Sequence, residues 1–223
     1  MSDGERARPD GPPPGPREGS GMGGGFVAGT LVRTRAGLVP IQDVQVGDLV
    51  QARPNVTSEP AWRRVVGRSV RADRTLEALV FLRAGERDAA PPVFVNGNQP
   101  FWVVGAGWTP ACALAPGAVV RLADGRAARL AQRRPVWRTP VSNVGWIESA
   151  DGAQGHEVDF ADGMAVLEQR PFDDDLVAAG AANPFFHGAV FGLEIESLHA
   201  FHVSELGLWV HDIDCGAAAA AGG

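Results

Sequence analysis

The residues able to do chemistry gather towards the C-terminal end of the sequence. His199, His202 and His211 fall in one stretch, "SLHAFHVSELGLWVHDIDC", with Asp212, Asp214 and Cys215 at its end. An imidazole moves a proton near neutral pH, and a carboxylate or thiol beside it can attack a carbonyl or bind a metal. The stretch alternates as a strand does, and positions i and i+3 of a strand face opposite sides. His199 and His202 are therefore poorly placed to share one metal and read as histidines hydrogen-bonded within a sheet. His211 reads two ways: a retained reactive group, or a ring held against an aromatic wall that includes Trp209. The aspartates at 173–175 read as the first turn of a helix or an exposed loop before they read as a cation site. Cys112, between two alanines, reads as a small core residue, and Cys215 as an exposed thiol. Two cysteines make no disulfide framework; one bridge is open to them, and free thiols are the expectation.

The elements that must position these groups are strands. Short valine-rich runs separated by Gly, Pro and Asp fill the chain, among them "TLVRTR", "GDLVQAR", "PVFVN", "PFWVVG", "VFGLEIES" and "GLWVHD". Period-two alternation and turn signals predict an all-β fold with about ten strands or more. "LADG", "FADG" and "ELGLW" predict hairpin turns, and the one helical candidate is "DDDLVAAGAA", 173–182.

Of the 223 residues, 45% are hydrophobic, which suffices for one buried core. A net charge of −6 argues against nonspecific nucleic-acid binding. The pairs Arg63-Arg64 and Arg133-Arg134 accordingly read as solvated loop faces. No apolar run reaches the length of a membrane span, and no apolar leader marks secretion, so the default location is the cytoplasm. Residues 1–24, rich in Gly, Pro and charge, predict a disordered leader; residues 215–223 predict a flexible Ala/Gly tail. The folded domain is expected over 25–214.

One segment occurs twice. "GLVPIQDVQVGDLV" (37–50) aligns without a gap on "GWTPACALAPGAVV" (107–120). Gly37, Pro40, Val44, Gly47 and Val50 match Gly107, Pro110, Leu114, Gly117 and Val120. Each copy reads as strand end, proline-opened turn, glycine turn and new strand. A duplicated half-domain with pseudo-twofold symmetry follows.

Three motifs in order carry a family resemblance. "FVAGTLVRTRAGLVPIQDVQVGDLV", "VNGNQPFWVVGAGWTPACAL" and "VFGLEIESLHAFHVSELGLWVHD" resemble the opening, second and closing motifs of Hint domains, the hedgehog/intein autoprocessing fold. The likeness is to the versions found in bacterial polymorphic toxins and spans 26–212. It implies self-cleavage or splicing without a cofactor, acting on the flanking polypeptide of the same chain. It also assigns positions. Gly25 stands where a Cys or Ser nucleophile is expected. Asn96 and Gln99 stand where threonine and a proton-moving histidine are expected. His199 and His211 match the closing histidines, and Asp212 takes the place of the cyclising asparagine, followed by Ile213 instead of an acyl acceptor. The resemblance therefore implies a degenerate, inactive domain with a structural or interaction role. Two alternatives stay open: residual cleavage after Asp212 assisted by His211, and a former active-site cleft that binds a peptide end or small ligand.

Overall fold

The computed structural model describes residues 23–54, 59–149, 154–161, 163, 165–171 and 183–212. Among them are sixteen strands and one 3-10 turn, Ala111–Ala113. The strands of the first half are β1 (Leu31–Thr34), β2 (Gly37–Pro40), β3 (Leu49–Ala52) and β4 (Ala61–Arg83). Those of the second are β5 (Val93–Asn96), β6 (Pro100–Val103), β7 (Gly107–Pro110), β8 (Val119–Arg121) and β9 (Ala127–Pro135). A separate four-stranded sheet follows: β10 (Trp137–Arg138), β11 (Val144–Glu148), β12 (Gln154–Asp159) and β13 (Ala165–Pro171). The last strands among the described residues are β14 (His187–Ile195), β15 (Ala200–Val203) and β16 (Leu208–His211).

The main sheet runs β14-β4-β3-β1-β15-β16-β6-β8-β9, and β9 pairs back onto the second half of β4. The path of strands therefore closes, which removes most free edges. Strand β4 makes this possible through its length. Its first part pairs with β3 and β14 and its last part with β5 and β9. Asp73, at φ 57°, marks the irregularity between those parts.

The duplication read from sequence is present in the backbone. Hairpin β1–β2 pairs Leu31 with Pro40 and Thr34 with Gly37; hairpin β6–β7 pairs Pro100 with Pro110 and Val103 with Gly107. After each hairpin the chain makes the same turn. The Ile41 N–H donates to Thr30 O, and the Ala111 N–H to Gln99 O, both at 2.8 Å. Further on, the Gly47 N–H reaches Val65 O, and the Gly117 N–H reaches Leu130 O, again at 2.8 Å. The closing hairpin sits between the halves: β15 pairs with β1 (Val32 with Val203) and β16 with β6 (Val210 with Phe101). That placement brings the C-terminal histidines to the seam of the two halves.

The main core is a set of fully buried apolar residues from both halves, including Phe26, Val32, Ile41, Phe81, Phe101, Leu130 and Phe201. A second core lies towards β10–β13 and contains Val27, Leu76, Phe94, Val136, Val158, Phe186 and Val190. Phe26 and Val27 are neighbours in sequence yet belong to different cores. Among the described residues no helix is long and apolar enough to cross a membrane.

Several expectations change here. Gly23 and Gly24, expected to end the leader, are buried in the fold. Cys112 is exposed rather than in the core, because the 3-10 turn buries Ala111 and turns the next side chain outward. The arginine pairs lie on strands β4 and β9, not in loops, and Arg133 is bridged at 3.3 Å to the buried Glu77. The helix expected at 173–182, the aspartates at 173–175, Asp214 and Cys215 lie outside the described residues, as do most of the leader and the tail. The turns at "LADG" and "ELGLW" join β8 to β9 and β15 to β16.

Gly47 and Gly117 adopt φ of 101° and 96°, with open space where a Cβ would stand. Alanine at either position is penalised by backbone strain alone, about 1–2 kcal/mol. Urea unfolding of Gly47→Ala and Gly117→Ala is expected to give similar losses. A neutral result at one site would break the equivalence of the two turns.

Candidate functional site

The site forms where three segments meet: residues 23–26, the turn after β5, and the end of β16. Phe26 fixes the first. It bridges Phe191 on β14 through two hydrogen bonds, 2.9 and 2.7 Å, and also pairs with Val95 on β5. Its ring is fully buried, edge-on to Phe101 and Phe201. Burying a phenylalanine side chain stabilises by roughly 1.5–3 kcal/mol, so the entry of the chain is anchored from both sides.

Just before Phe26, the Gly25 carbonyl accepts the Asn96 N–H at 3.0 Å. The Gly24 carbonyl accepts a hydrogen bond from Arg71 Nη1, also at 3.0 Å. Asn96 thus touches this segment through its backbone. Its side-chain Oδ1 instead accepts the Asn98 N–H at 3.0 Å and shapes the turn that leads to Gln99. Such an Asx turn is a local structural use of asparagine.

Gln99 is buried and its amide is spent on backbone. Nε2 donates to His211 O at 2.9 Å and to Pro100 O at 3.2 Å. The side chain therefore staples the end of β16 to the start of β6. An amide has no proton to give up near neutrality, so this position holds shape without moving charge.

Asp212 closes the site. Its carboxylate is buried and its Oδ2 accepts the Ile195 N–H at 2.9 Å. His199 Nδ1 lies 3.2 Å from the same oxygen, and the Asp212 N–H donates to His199 O at 2.8 Å. The His199 ring itself is largely exposed, 59% of its side chain facing solvent. His211 is buried, and its Nδ1 lies 3.1 Å from Asp212 O and 3.4 Å from Asp212 Oδ1. Both neighbours are acceptors, so Nδ1 carries the proton. The proton-bearing nitrogen thus faces the carbonyl of residue 212. Trp108 stands edge-to-face on the His211 ring at 4.9 Å, and Trp102 and Trp209 pack behind it at about 5 Å. The aromatic wall expected at Trp209 is there, with Trp108 as its contact surface.

Five of the six sequence-assigned positions converge on this one seam: Gly25, Asn96, Gln99, His211 and Asp212. His199 joins them from the exposed rim. His202 does not. It is fully buried on another side of β15, and its Nδ1 donates to Gln51 O at 3.0 Å. Sequence reasoning missed Arg71, Val190, Ile195 and Trp108. Arg71 and Val190 sit on β4 and β14, far from 23–25 in the chain; no motif marks Arg71, and Val190 opens the closing motif without a role assigned to it. Trp108 lies inside the second motif, which assigns it no role.

No protein-family model matches the sequence, and no curated protein is found to match it. Among solved structures, the chain is similar to the bacterial intein-like domain from Clostridium thermocellum, with a TM-score of 0.54 and 21% identity. The match covers 84% of this chain and 97% of that domain. The fold is intein-like. The gp41-1 intein and a DnaB intein from Synechocystis sp. PCC 6803 align more loosely, each at 13% identity and a TM-score of 0.48, over 85% of this chain and 98% of theirs. The intein-like fold accounts for the all-β architecture.

His202 gives the site's surroundings a pH signature. Burial lowers its pKa from 6.5 to about 4, and nearby Arg53 and Arg33 act in the same direction against the Gln51 hydrogen bond. A histidine whose folded pKa is depressed makes the unfolded chain the better proton binder between those values. Stability contributed at neutral pH is therefore lost as pH falls from about 6.5 towards 4, by up to about 3 kcal/mol. Urea unfolding at the two ends of this window should show that loss. The loss should shrink in His202→Gln; an equal loss in the variant would assign it elsewhere.

Proposed function

We propose that the chain is a Hint-type domain, of the kind linked to bacterial polymorphic toxins, whose self-processing chemistry is lost and whose fold persists as a structural or interaction module. The observation that carries this reading is Gly25. It occupies the position before Phe26 where the chemistry of such a domain would begin, and it has no thiol or hydroxyl to attack the Gly24 carbonyl. Gln99 supports the same reading, since its amide is tied to His211 O and Pro100 O and moves no proton. Flanking polypeptide of the same chain is the partner the ancestral reaction would have used. A cytoplasmic location and the absence of nucleic-acid binding belong to the same proposal.

A second reading is favoured by one specific contact. His211 Nδ1 is 3.1 Å from Asp212 O, where it would stabilise negative charge developing on that carbonyl. The Asp212 carboxylate is close by but held by Ile195 N–H and His199. Cleavage after residue 212 through that carboxylate is the enzyme-class alternative. The cleft as a ligand site is the weakest reading. Gly24, Gln99, Leu193, Phe201, His211 and Asp212 close on one another without leaving room for a water molecule.

The full chain carried between two reporter domains decides among these. Intact mass over days, across pH and with added thiol, should show only the uncut fusion. Fragments ending at Gly24 would overturn the inactive reading. Fragments ending at residue 212, made faster by Asp212→Asn, would replace it with the second.

A further inference from the structure

The three glycines at 23–25 are not there only because a nucleophile is missing. A Cβ on Gly23 would meet the Arg71 guanidinium, and one on Gly24 would lie 2.5 Å from Gln99 Cα. A Cβ on Gly25 would lie 2.8 Å from Val190 Cγ2, 2.9 Å from Val190 Cβ and 3.0 Å from Phe191 O. Contacts this short are not found for real side chains, and two of them involve backbone or a β-branched residue packed in a core. Val190 is fully buried in the second core, where side chains are close-packed. The arginine is of another kind. Arg71 Nη1 donates to Gly24 O at 3.0 Å and lies 3.3 Å from Ser69 Oγ, a charge-assisted bond to a main-chain carbonyl.

We propose that Val190 and Arg71 are the specificity-determining residues of the N-terminal junction. Val190 fills the volume that a side chain at position 25 needs, and Arg71 grips the carbonyl of Gly24 so that only a bare backbone seats in the cleft. The ligand of this socket is the chain's own glycine segment. Calling it the junction rests on the reading under Proposed function; the socket itself rests on the contacts.

The position-25 backbone is outside the left-handed region, so alanine is penalised there by contact alone and not by φ. A thermal-unfolding cycle on the full chain therefore isolates the contact. Gly25→Ala should lower the midpoint by several degrees. In a Val190→Gly background, which removes both Cγ2 and the Cβ at 2.9 Å, the same change should cost clearly less, and what remains is the approach to Phe191 O. If Gly25→Ala is neutral, or costs the same in both backgrounds, the socket is wrong. Should Gly25→Ala fail to fold, recovery in the double variant still reports the coupling, and failure of the double variant while Val190→Gly folds counts against it. For Arg71, the carbonyl-carbon resonance of Gly24 should move upfield in Arg71→Ala and largely hold in Arg71→Lys, with the Gly37 carbonyl as an unmoved reference. No movement in Arg71→Ala removes the grip from the proposal. Cleavage of the wild-type fusion would overturn the reading of function without touching this cycle, and loss of coupling would overturn the socket without touching the mass result.

Discussion

The constraint on which the structure depends is the seating of Phe26. Its backbone ties β5 to β14, and its ring joins Phe101 of the second half to Phe201 of the closing hairpin. The next residue, Val27, enters the other core. One dipeptide thus locks two cores together and fixes where the preceding three glycines must run. Once they run there, Gly25 O meets Asn96 N–H and Gly24 O meets Arg71, and the three segments form a packed seam. Removing a buried aromatic of this kind typically costs 3–5 kcal/mol, a large share of a domain's net stability.

The seam divides chemistry from architecture. Its polar groups are nearly all satisfied by backbone: Gln99 by His211 O, the Asp212 carboxylate by Ile195 N–H, the Asn96 amide N–H by Gly25 O. Such bonds hold a shape in low dielectric and leave little free to react. The exception is the end of β16, where His211 keeps its protonated nitrogen on a carbonyl and Trp108 keeps the ring oriented. The N-terminal half of the seam is therefore filled, and in its C-terminal half a histidine faces a main-chain carbonyl.

Much of this was legible in the sequence because it rests on local rules. Glycines matched at 37 and 107, and at 47 and 117, announce positive φ, and the backbone repeats accordingly. Alternating valines announce strands. The motif positions Gly25, Asn96, Gln99, His211 and Asp212 converge because the closing hairpin lies between the two half-domains, beside residues 23–26. What escaped depends on pairing across long separations. The register of β4 against β14 brings Arg71 and Val190 to the glycines, and no local pattern encodes that register. Cys112 was misplaced for a smaller reason: in a one-turn helix the buried position falls one residue earlier.

The central claim is that the segment before Phe26 is seated in the fold and is not a linker. Hydrogen exchange of the Phe26 and Asn96 amides in the unmodified full chain tests it most directly. Both N–H groups lie inside the seam, so they should exchange as slowly as Val95 and Phe191 beside them, through global rather than local opening. Exchange as fast as that of the exposed turn at Gly85 would contradict the account, because it would mean that the glycines lie outside the cleft and leave it open.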